Sequence, residues 1–158
     1  MGTGRHLGTY RRLRQVNQLR DLLDCTFFDW DAIVFNLQTG AIIAKPAYFA
    51  ALEARVLDVN LEQNPNPTGS LVRALRRGAL WRVRFGPKLS AFARRQLSRE
   101  AWDVLVALDA SAFAHPVLRY CDPARLRQRL EAEIVFEQRK ITEPFGPLQR
   151  QLELPLAS

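Results

Sequence analysis

The sequence predicts a predominantly helical α+β fold with a small β-hairpin or sheet, and an all-α fold is the alternative. Apolar residues make up 47% of the 158 residues and charged residues 25%, which is the composition of an ordinary globular protein. Most of the chain carries apolar side chains at the spacing of a helix that is buried on one face. Two short stretches instead show the alternation or the β-branched pairs that are typical of strands.

The first predicted elements are a helix and a hairpin. Residues 8–24 carry leucine and valine at helical spacing, with arginines on the other face. Residues 27–45 contain two β-branched runs on either side of a Gln-Thr-Gly sequence, and this pattern favours a hairpin. A helix that ends at Gly40 would give the same signals, so both readings stay open here.

The middle of the chain is predicted to contain two helices separated by a loop. Pro46 opens the first helix, which is expected to run to about Glu62. Residues 63–70 contain two Pro, two Asn and one Gly and are predicted to be a loop. The second helix covers residues 71–77, with Ser70 as its N-cap and the glycine at position 78 as its end.

A strand is predicted next, over residues 80–85. Trp81, Val83 and Phe85 alternate with arginines, which is the period of a strand buried on one face. The three apolar side chains are therefore expected to face the core, and the intervening arginines to face outwards.

Three further helices are predicted, over residues 87–96, 98–110 and 123–140. Ser98 is a candidate cap for the second of them, and Asp122 followed by Pro is a cap and first turn for the third. The third helix is expected to be the longest in the chain, because apolar residues recur in it every four positions.

The composition changes at residue 142. Residues 142–158 contain three prolines, and proline at this density prevents a continuous helix. We therefore expect a basic helical globular domain at residues 1–141 and a flexible, Pro-containing tail with a linear motif at residues 142–158.

Positive charge is concentrated in one segment. The chain has 23 cationic residues, twenty of them Arg, and 16 acidic residues, for a net charge of +7 and a pI near 10.2. Residues 63–99 contain nine cations and no acid. A field of this kind attracts polyanions, of which nucleic acid is the commonest. The predicted phosphate-contacting residues are Arg73, Arg76, Arg77, Arg82, Arg84, Lys88, Arg94, Arg95 and Arg99. The alternative is that these side chains only make the surface soluble.

The last eight residues are Gln-Leu-Glu-Leu-Pro-Leu-Ala-Ser. Three leucines at alternate positions of an extended segment favour docking into a hydrophobic groove, either of this protein itself or of another protein. The segment resembles the peptide with which bacterial proteins bind the DNA polymerase sliding clamp, and it is closest to the Hda-type variant Gln-Leu-Ser-Leu-Pro-Leu. The resemblance covers six residues and implies that Gln151 enters a polar pocket of the clamp, while Leu154 and Leu156 fill an apolar cleft with Leu152 beside them. Glu153 departs from the usual Ser or Asp.

The sequence contains no motif that establishes an enzyme or a cofactor site. Asp29 and Asp31 could hold Mg²⁺ in a metal-dependent nuclease, but a third acid in register is missing, so a structural role is favoured. The histidines have no partner at metal-ligand spacing, and no glycine-rich phosphate loop occurs. The two distant cysteines, Cys25 and Cys121, form no disulfide framework.

Three functional hypotheses follow from these observations. The first is a cytoplasmic nucleic-acid-binding accessory protein of replication, repair or a mobile element, which binds DNA or RNA through phosphate contacts and is recruited to the sliding clamp by its tail. The second is a protein-interaction module whose tail mediates self-assembly or binds another partner. The third is the nuclease. No stretch is apolar enough to span a membrane, and no membrane partner is expected.

Overall fold

Residues 16–136 and 138–146 are described by the structure, which is a computed structural model. They form helices and three two-stranded sheets, and this confirms the predominantly helical α+β class. The α-helices are α1 Tyr48–Glu53, α2 Pro67–Trp81, α3 Pro87–Leu97, α4 Trp102–Ala112 and α5 Pro123–Glu131. The strands are β1 Ile33–Phe35, β2 Ile42–Ala44, β3 Val56–Leu57, β4 Arg84–Phe85, β5 Ile134–Phe136 and β6 Arg139–Ile141, and 3₁₀ turns lie at Leu19–Cys25, Asp29–Asp31 and Leu118–Tyr120.

The first described elements confirm the hairpin. Strands β1 and β2 are antiparallel, with Phe35 opposite Ile42. In the turn, the Asn36 side chain accepts hydrogen bonds from the backbone N–H groups of Gln38 and Thr39. Gly40 has a φ of 69°. Within the described part of the predicted helix 8–24, the chain forms a 3₁₀ segment that begins at Leu19.

The helix predicted from Pro46 to Glu62 is much shorter than expected. Helix α1 ends at Glu53, and Arg55 has a left-handed backbone with a φ of 50°. The chain then enters strand β3, which pairs in parallel with β4. Both residues of β3, Val56 and Leu57, are buried. Their spacing also fits a buried helix face, and this is why the helix was predicted to continue to Glu62.

Helix α2 begins earlier and ends later than predicted. The Asn66 side chain accepts the Gly69 N–H at 2.9 Å and caps the helix, and Pro67 occupies its first turn. The prediction of Ser70 as the cap is therefore wrong, and Ser70 is buried inside the helix. The helix also continues through Gly78, which was predicted to end it.

The strand predicted at residues 80–85 is reduced to its last two residues. Trp81 belongs to helix α2 and its side chain is 53% exposed, so its predicted place in the core is wrong. Arg82, with a φ of 55°, ends the helix and turns the chain into β4. Val83 and Phe85 are buried as predicted.

Two of the three later helices begin where they were predicted, at Pro87 and Pro123. Helix α3 matches closely, whereas α4 begins after Ala101 rather than at Ser98. The Asp122 side chain accepts the first N–H groups of α5, which confirms that cap. Helix α5 ends at Glu131 instead of residue 140, and the chain forms the hairpin β5–β6, which turns at Gln138 with a φ of 63°.

Helix α2 lies at the centre of the core. It packs against α3 and α4, and α3 packs against α5 and β6. The side chains that fill the space between these elements are almost completely buried: Leu57, Leu71, Leu75, Phe85, Leu89, Leu105, Leu118 and Leu130. This core holds the ends of α2 and α5 and the residues after β6 in fixed relative positions.

Residues 142–146 belong to the packed fold. Thr142 is completely buried and forms an antiparallel bridge with Phe85, with N–O distances of 2.8 and 2.9 Å. Its hydroxyl lies 2.8 Å from that of Ser90. Residues 142–146, which were predicted to belong to the tail, thus pack against the helical domain. The predicted clamp-binding residues lie outside the described residues.

Gly78 provides the space into which Phe145 packs. A Cβ atom at position 78 would lie 2.6 Å from the Phe145 ring, which is too close for any real contact. Glycine within a helix costs about 1 kcal/mol relative to alanine, so its presence here has a packing reason. The glycine that looks like a helix end in the sequence is a contact site for residues 142–146.

We expect Gly78→Ala to destabilise the protein by about 1–3 kcal/mol, because the ring of Phe145 or the helix must move. Thermal and denaturant unfolding measure this change. In a Phe145→Ala background the same substitution should become neutral or stabilising, because the clash is gone and alanine is the better helix former. If Gly78→Ala stabilises the otherwise unchanged protein, Phe145 does not pack on α2 as described.

Candidate nucleic-acid interface

The nine cations of residues 63–99 do not form one exposed surface. Acids from outside this segment approach five of them: Arg76, Arg77, Arg84, Lys88 and Arg94. The charge concentration in the sequence is therefore partly neutralised by the fold. Each cation has to be assessed by its partners and its exposure.

Arg76 is a structural residue. Its guanidinium donates to Asp109 Oδ1 at 2.6 Å and to the carbonyl of His115 at 2.8 Å, and it lies 4.0 Å from the centre of the Phe113 ring. Its side chain is only 12% exposed, and that of Asp109 is fully buried. Arg76 thus holds helices α2 and α4 together and cannot also contact a phosphate without breaking this pair.

Asp109 is the acceptor at the centre of this arrangement. Burial by itself raises the pKa of Asp109, but the N–H groups of Leu118 and Val117 and the Arg76 guanidinium outweigh it, and the pKa is lowered. The two N–H groups donate to Oδ2 at 2.8 and 2.6 Å. The charged carboxylate of Asp109 therefore connects the end of α4 to the start of the following 3₁₀ turn.

Arg77 and Arg84 are also tied into the fold. Arg77 donates to Asp31 Oδ1 at 2.7 Å and lies over the Phe28 ring at 4.6 Å. Arg84 donates to Glu143 Oε1 at 3.3 Å and to a backbone carbonyl at 3.0 Å, and its guanidinium lies 3.9 Å from the centre of the Phe136 ring. Both side chains are less than a fifth exposed. Their prediction as phosphate contacts is therefore not favoured by the geometry.

Lys88 and Arg94 form weaker pairs at the surface. Lys88 lies 3.4 Å from Glu62, and both side chains are more than half exposed. Arg94 lies 4.0 Å from Glu131 and donates to the carbonyl of Leu130 at 2.8 Å. The exposed Lys88 pair contributes at most about 1 kcal/mol and can exchange for a phosphate, whereas Arg94 is partly buried.

Four cations of the segment have no ion pair with an acid in the described part of the chain. They are exposed and comprise Arg73, Arg82, Arg95 and Arg99. Arg73 donates to the Ser70 hydroxyl at 3.0 Å, and Arg82 donates to the carbonyl of Phe145 at 2.8 Å. These four keep their positive charge available to solvent.

Arg82 lies at a cavity of about 500 Å³ that also contains two arginines the sequence analysis did not select, Arg125 and Arg129. We call this cavity the arginine pocket. Its walls come from Arg82 at the end of α2, from the start of α5 with the residues before it, and from residues 144–146; the lining residues are Arg82, Tyr120, Cys121, Asp122, Arg125, Leu126, Arg129, Pro144, Phe145 and Gly146.

The fold fixes several groups of the arginine pocket. The Arg82 guanidinium is oriented by its bond to the Phe145 carbonyl, and the left-handed backbone of Arg82 is a conformation that non-glycine residues rarely adopt. Gly146 has a φ of 91°, and a Cβ atom there would lie 3.5 Å from the Arg129 guanidinium. The positive φ favours glycine at this position, whereas a Cβ atom would make only ordinary contact with that arginine.

The sequence does contain a signal for the additional arginines, although it is short. Arg125 and Arg129 are four residues apart on α5, so they lie on one side of the helix. Acids follow closely at Glu131 and Glu133, and this mixture of signs hides the pair in a charge count. Only the fold shows that residues 144–146 and Arg82 complete the pocket.

The carboxylates proposed for a nuclease have other partners. Asp31 is held by Arg77, and Asp29 Oδ1 accepts the N–H groups of Asp58 and Trp30, each at 2.9 Å. Burial raises the pKa of Asp29 to about 6, and the charge of Asp58 adds to this effect. Asp58 in turn accepts the Leu89 N–H at 2.7 Å and caps α3. These contacts explain both carboxylates by their structural roles.

Other candidate chemistries find no assembled site among the residues the structure describes. No group of three or more His, Cys, Asp and Glu is placed to hold a metal within residues 16–136 and 138–146. Burial raises the pKa of the Cys121 thiol, and the charge of Asp109 adds to it, so this cysteine is a poor nucleophile. In the same part of the chain no helix has the length and apolar character of a membrane span.

Comparisons with known proteins give no relative. No protein-family model matches the chain, and neither the curated proteins nor the solved structures give a match. The function therefore has to be inferred from the arginine pocket, the exposed cations and the C-terminal sequence.

We expect Asp109→Asn to destabilise the protein by about 3 kcal/mol or more at pH 7, because the buried Arg76 charge loses its partner. The pKa of Asp109 is lower in the folded state, so its contribution is present above about pH 4 and is lost as the pH falls. The difference in unfolding free energy between the unaltered protein and Asp109→Asn should therefore become smaller as the pH is lowered.

Lys88→Gln is the matched control for this prediction, since it breaks an exposed pair of the same segment and should cost less than about 1 kcal/mol. Equal losses for the two variants, or a gap that widens at low pH, would contradict a structural role for Arg76 and Asp109.

Proposed function

We propose that this protein is a nucleic-acid-binding accessory factor of replication, repair or a mobile element, which acts by binding and is recruited to the DNA sliding clamp through its C-terminal peptide. The observation that carries the nucleic-acid part is the arginine pocket, in which three guanidiniums without an acidic ion-pair partner in the described chain line one cavity. Guanidinium groups suit phosphate because they offer parallel N–H donors.

The exposed cations outside the pocket support the same proposal. Arg73, Arg95 and Arg99 remain available to solvent, and Lys88 is held only by a surface pair, while Arg94 forms a long pair and also donates to the Leu130 carbonyl. Such residues contribute non-specific phosphate contacts and raise the rate of encounter with a polyanion. Arg76, Arg77 and Arg84 are left out of the proposed interface because their charges are used inside the fold.

The clamp part of the proposal is supported by the sequence Gln151-Leu-Glu-Leu-Pro-Leu156, which resembles the clamp-binding peptide. In the sequence, four residues lie between Gly146, the last residue that the structure describes, and Gln151. A clamp encircles DNA, so a short connection brings the body of the protein near the duplex. Two weak contacts joined in this way bind more tightly than either contact alone.

A protein-interaction module is the second candidate, and one observation favours it. The hairpin β1–β2 exposes Ile33, Phe35 and Ile42 to 39%, 57% and 58%, and the register of the strands puts them on one face. A contiguous apolar face is typical of contacts between proteins. This face is compatible with the first proposal, since an accessory factor also has protein partners.

We expect fluorescence anisotropy to show binding of labelled single-stranded and duplex DNA that weakens linearly in a log–log plot against salt. Arg125→Gln and Arg129→Gln should each weaken binding about tenfold, because a charge-assisted phosphate contact is lost. Each variant should also reduce the salt slope by up to about one.

Arg20→Gln is the matched control, because it removes the same charge from an exposed site on the 3₁₀ turn Leu19–Cys25, away from the arginine pocket. It should change the affinity less than about twofold, as expected for a distant charge that salt screens. If Arg20→Gln weakens binding as much as the pocket variants do, the assigned interface is wrong.

If the protein shows no salt-dependent binding of DNA or RNA, the nucleic-acid function is wrong and the protein-interaction module is the remaining candidate.

We expect a chain that ends at residue 150 to lose capture by a purified bacterial sliding clamp while it keeps its affinity for DNA. Leu154→Ala with Leu156→Ala in the full-length chain should do the same, because burying each leucine contributes roughly 1.5–3 kcal/mol. Surface plasmon resonance on immobilised clamp measures this loss. Capture that survives both changes would show that the C-terminal peptide is not the clamp-binding segment.

A further inference from the structure

The charge of the arginine pocket matches one particular form of phosphate. Arg82, Arg125 and Arg129 bring three positive charges, and Asp122 brings one negative charge. Asp122 is engaged as the cap of α5, where its Oδ1 accepts two N–H groups at 2.9 and 3.2 Å. The net charge near +2 complements a phosphomonoester, which carries about −1.5 to −2 at pH 7. A phosphodiester within a strand carries only one negative charge.

The walls of the pocket suit the nucleoside that bears such a phosphate. Tyr120 is 75% exposed and lies at the lining of the pocket beside Cys121 and Asp122. Phe145 and Pro144 form an apolar wall from another part of the chain. An exposed aromatic ring next to guanidiniums is the arrangement on which bases stack while their phosphates are held. The volume of about 500 Å³ lies within the range of small-ligand sites.

Two groups of the pocket, Arg82 and Tyr120, are oriented before any ligand arrives. The bond from Arg82 to the Phe145 carbonyl fixes one guanidinium, and the Arg119 side chain donates to the Tyr120 hydroxyl while its guanidinium lies 4.6 Å from the ring centre. Groups that are already ordered lose less conformational freedom on binding. This order favours a defined ligand over diffuse attraction of a polyanion.

We propose that the arginine pocket binds the phosphorylated end of a nucleic-acid strand, with the three arginines on the terminal phosphomonoester and Tyr120 stacked on the terminal base. This inference rests on the proposed function and assigns to it a preferred substrate, namely strand ends that carry a phosphate. The phosphate could lie at the 5′ or the 3′ end, since both carry the same charged group.

The test is anisotropy with four labelled single-stranded oligonucleotides, all internally labelled. Three have the same eight-nucleotide sequence with a 5′-phosphate, a 3′-phosphate or hydroxyls at both ends. The fourth has hydroxyl ends and two more nucleotides, so its two extra diesters add at least as much negative charge as the phosphomonoester does. We expect one of the phosphorylated oligonucleotides to bind at least tenfold more tightly than the two hydroxyl-ended ones.

Variants of the pocket test whether the preference for a terminal phosphate arises from this site. Arg125→Gln, Arg129→Gln and Tyr120→Ala should each reduce the preference to less than threefold, and Arg20→Gln should keep it. Competition by a nucleoside monophosphate against the corresponding nucleoside provides a second readout on the unaltered protein, with displacement expected only from the phosphorylated compound. This readout decides the question even if a pocket variant fails to fold.

Equal, salt-dependent affinity for all four oligonucleotides would overturn recognition of strand ends while the nucleic-acid function stands. A preference that all pocket variants retain would place end recognition elsewhere on the chain and overturn this assignment. No binding of any of the oligonucleotides would overturn both the end recognition and the proposed function.

Discussion

The docking of residues 142–146 against helix α2 and strand β4 is the contact on which the rest of the structure depends. Thr142 extends the β3–β4 pair from the other side of Phe85, and Phe145 closes on the surface that Gly78 leaves open. The same five residues supply Glu143 for Arg84 and a backbone carbonyl for Arg82. They also form one wall of the arginine pocket. The candidate site therefore forms only when residues 144–146 lie against the middle of the sequence.

Pairing inside the fold decides which cations can meet a phosphate. The charged groups of Arg76 and Asp109 are removed from water together, and separating them would leave a buried charge without compensation. Arg82 is close to Arg76 in sequence, but its charge is exposed and its direction is set by a carbonyl rather than by an acid. The density of cations in the sequence thus predicts attraction to polyanions. Which of these cations can contact a phosphate depends on whether an acid from a distant segment pairs with them in the fold.

Some local signals in the sequence predicted the structure well. The Pro at position 87 and the Asp122 cap each predicted a helix start, and the structure has both starts. Gly40 fitted a hairpin turn or a helix end, and the structure has the hairpin. Apolar spacing was ambiguous where a short strand and a helix fit equally, as in the residues after Glu53 and after Glu131. The arginine pocket could not be predicted, because three segments distant in sequence form it.

The most direct test of the account is an NMR titration that observes the arginine Nε–Hε groups while a phosphorylated oligonucleotide is added to the full-length protein. The account predicts the largest shifts for Arg82, Arg125 and Arg129, with small changes for Arg76 and Arg84 because their partners are inside the fold. Shifts confined to arginines outside the arginine pocket, or no shifts at saturating oligonucleotide, would contradict the claim that this pocket is where the protein meets nucleic acid.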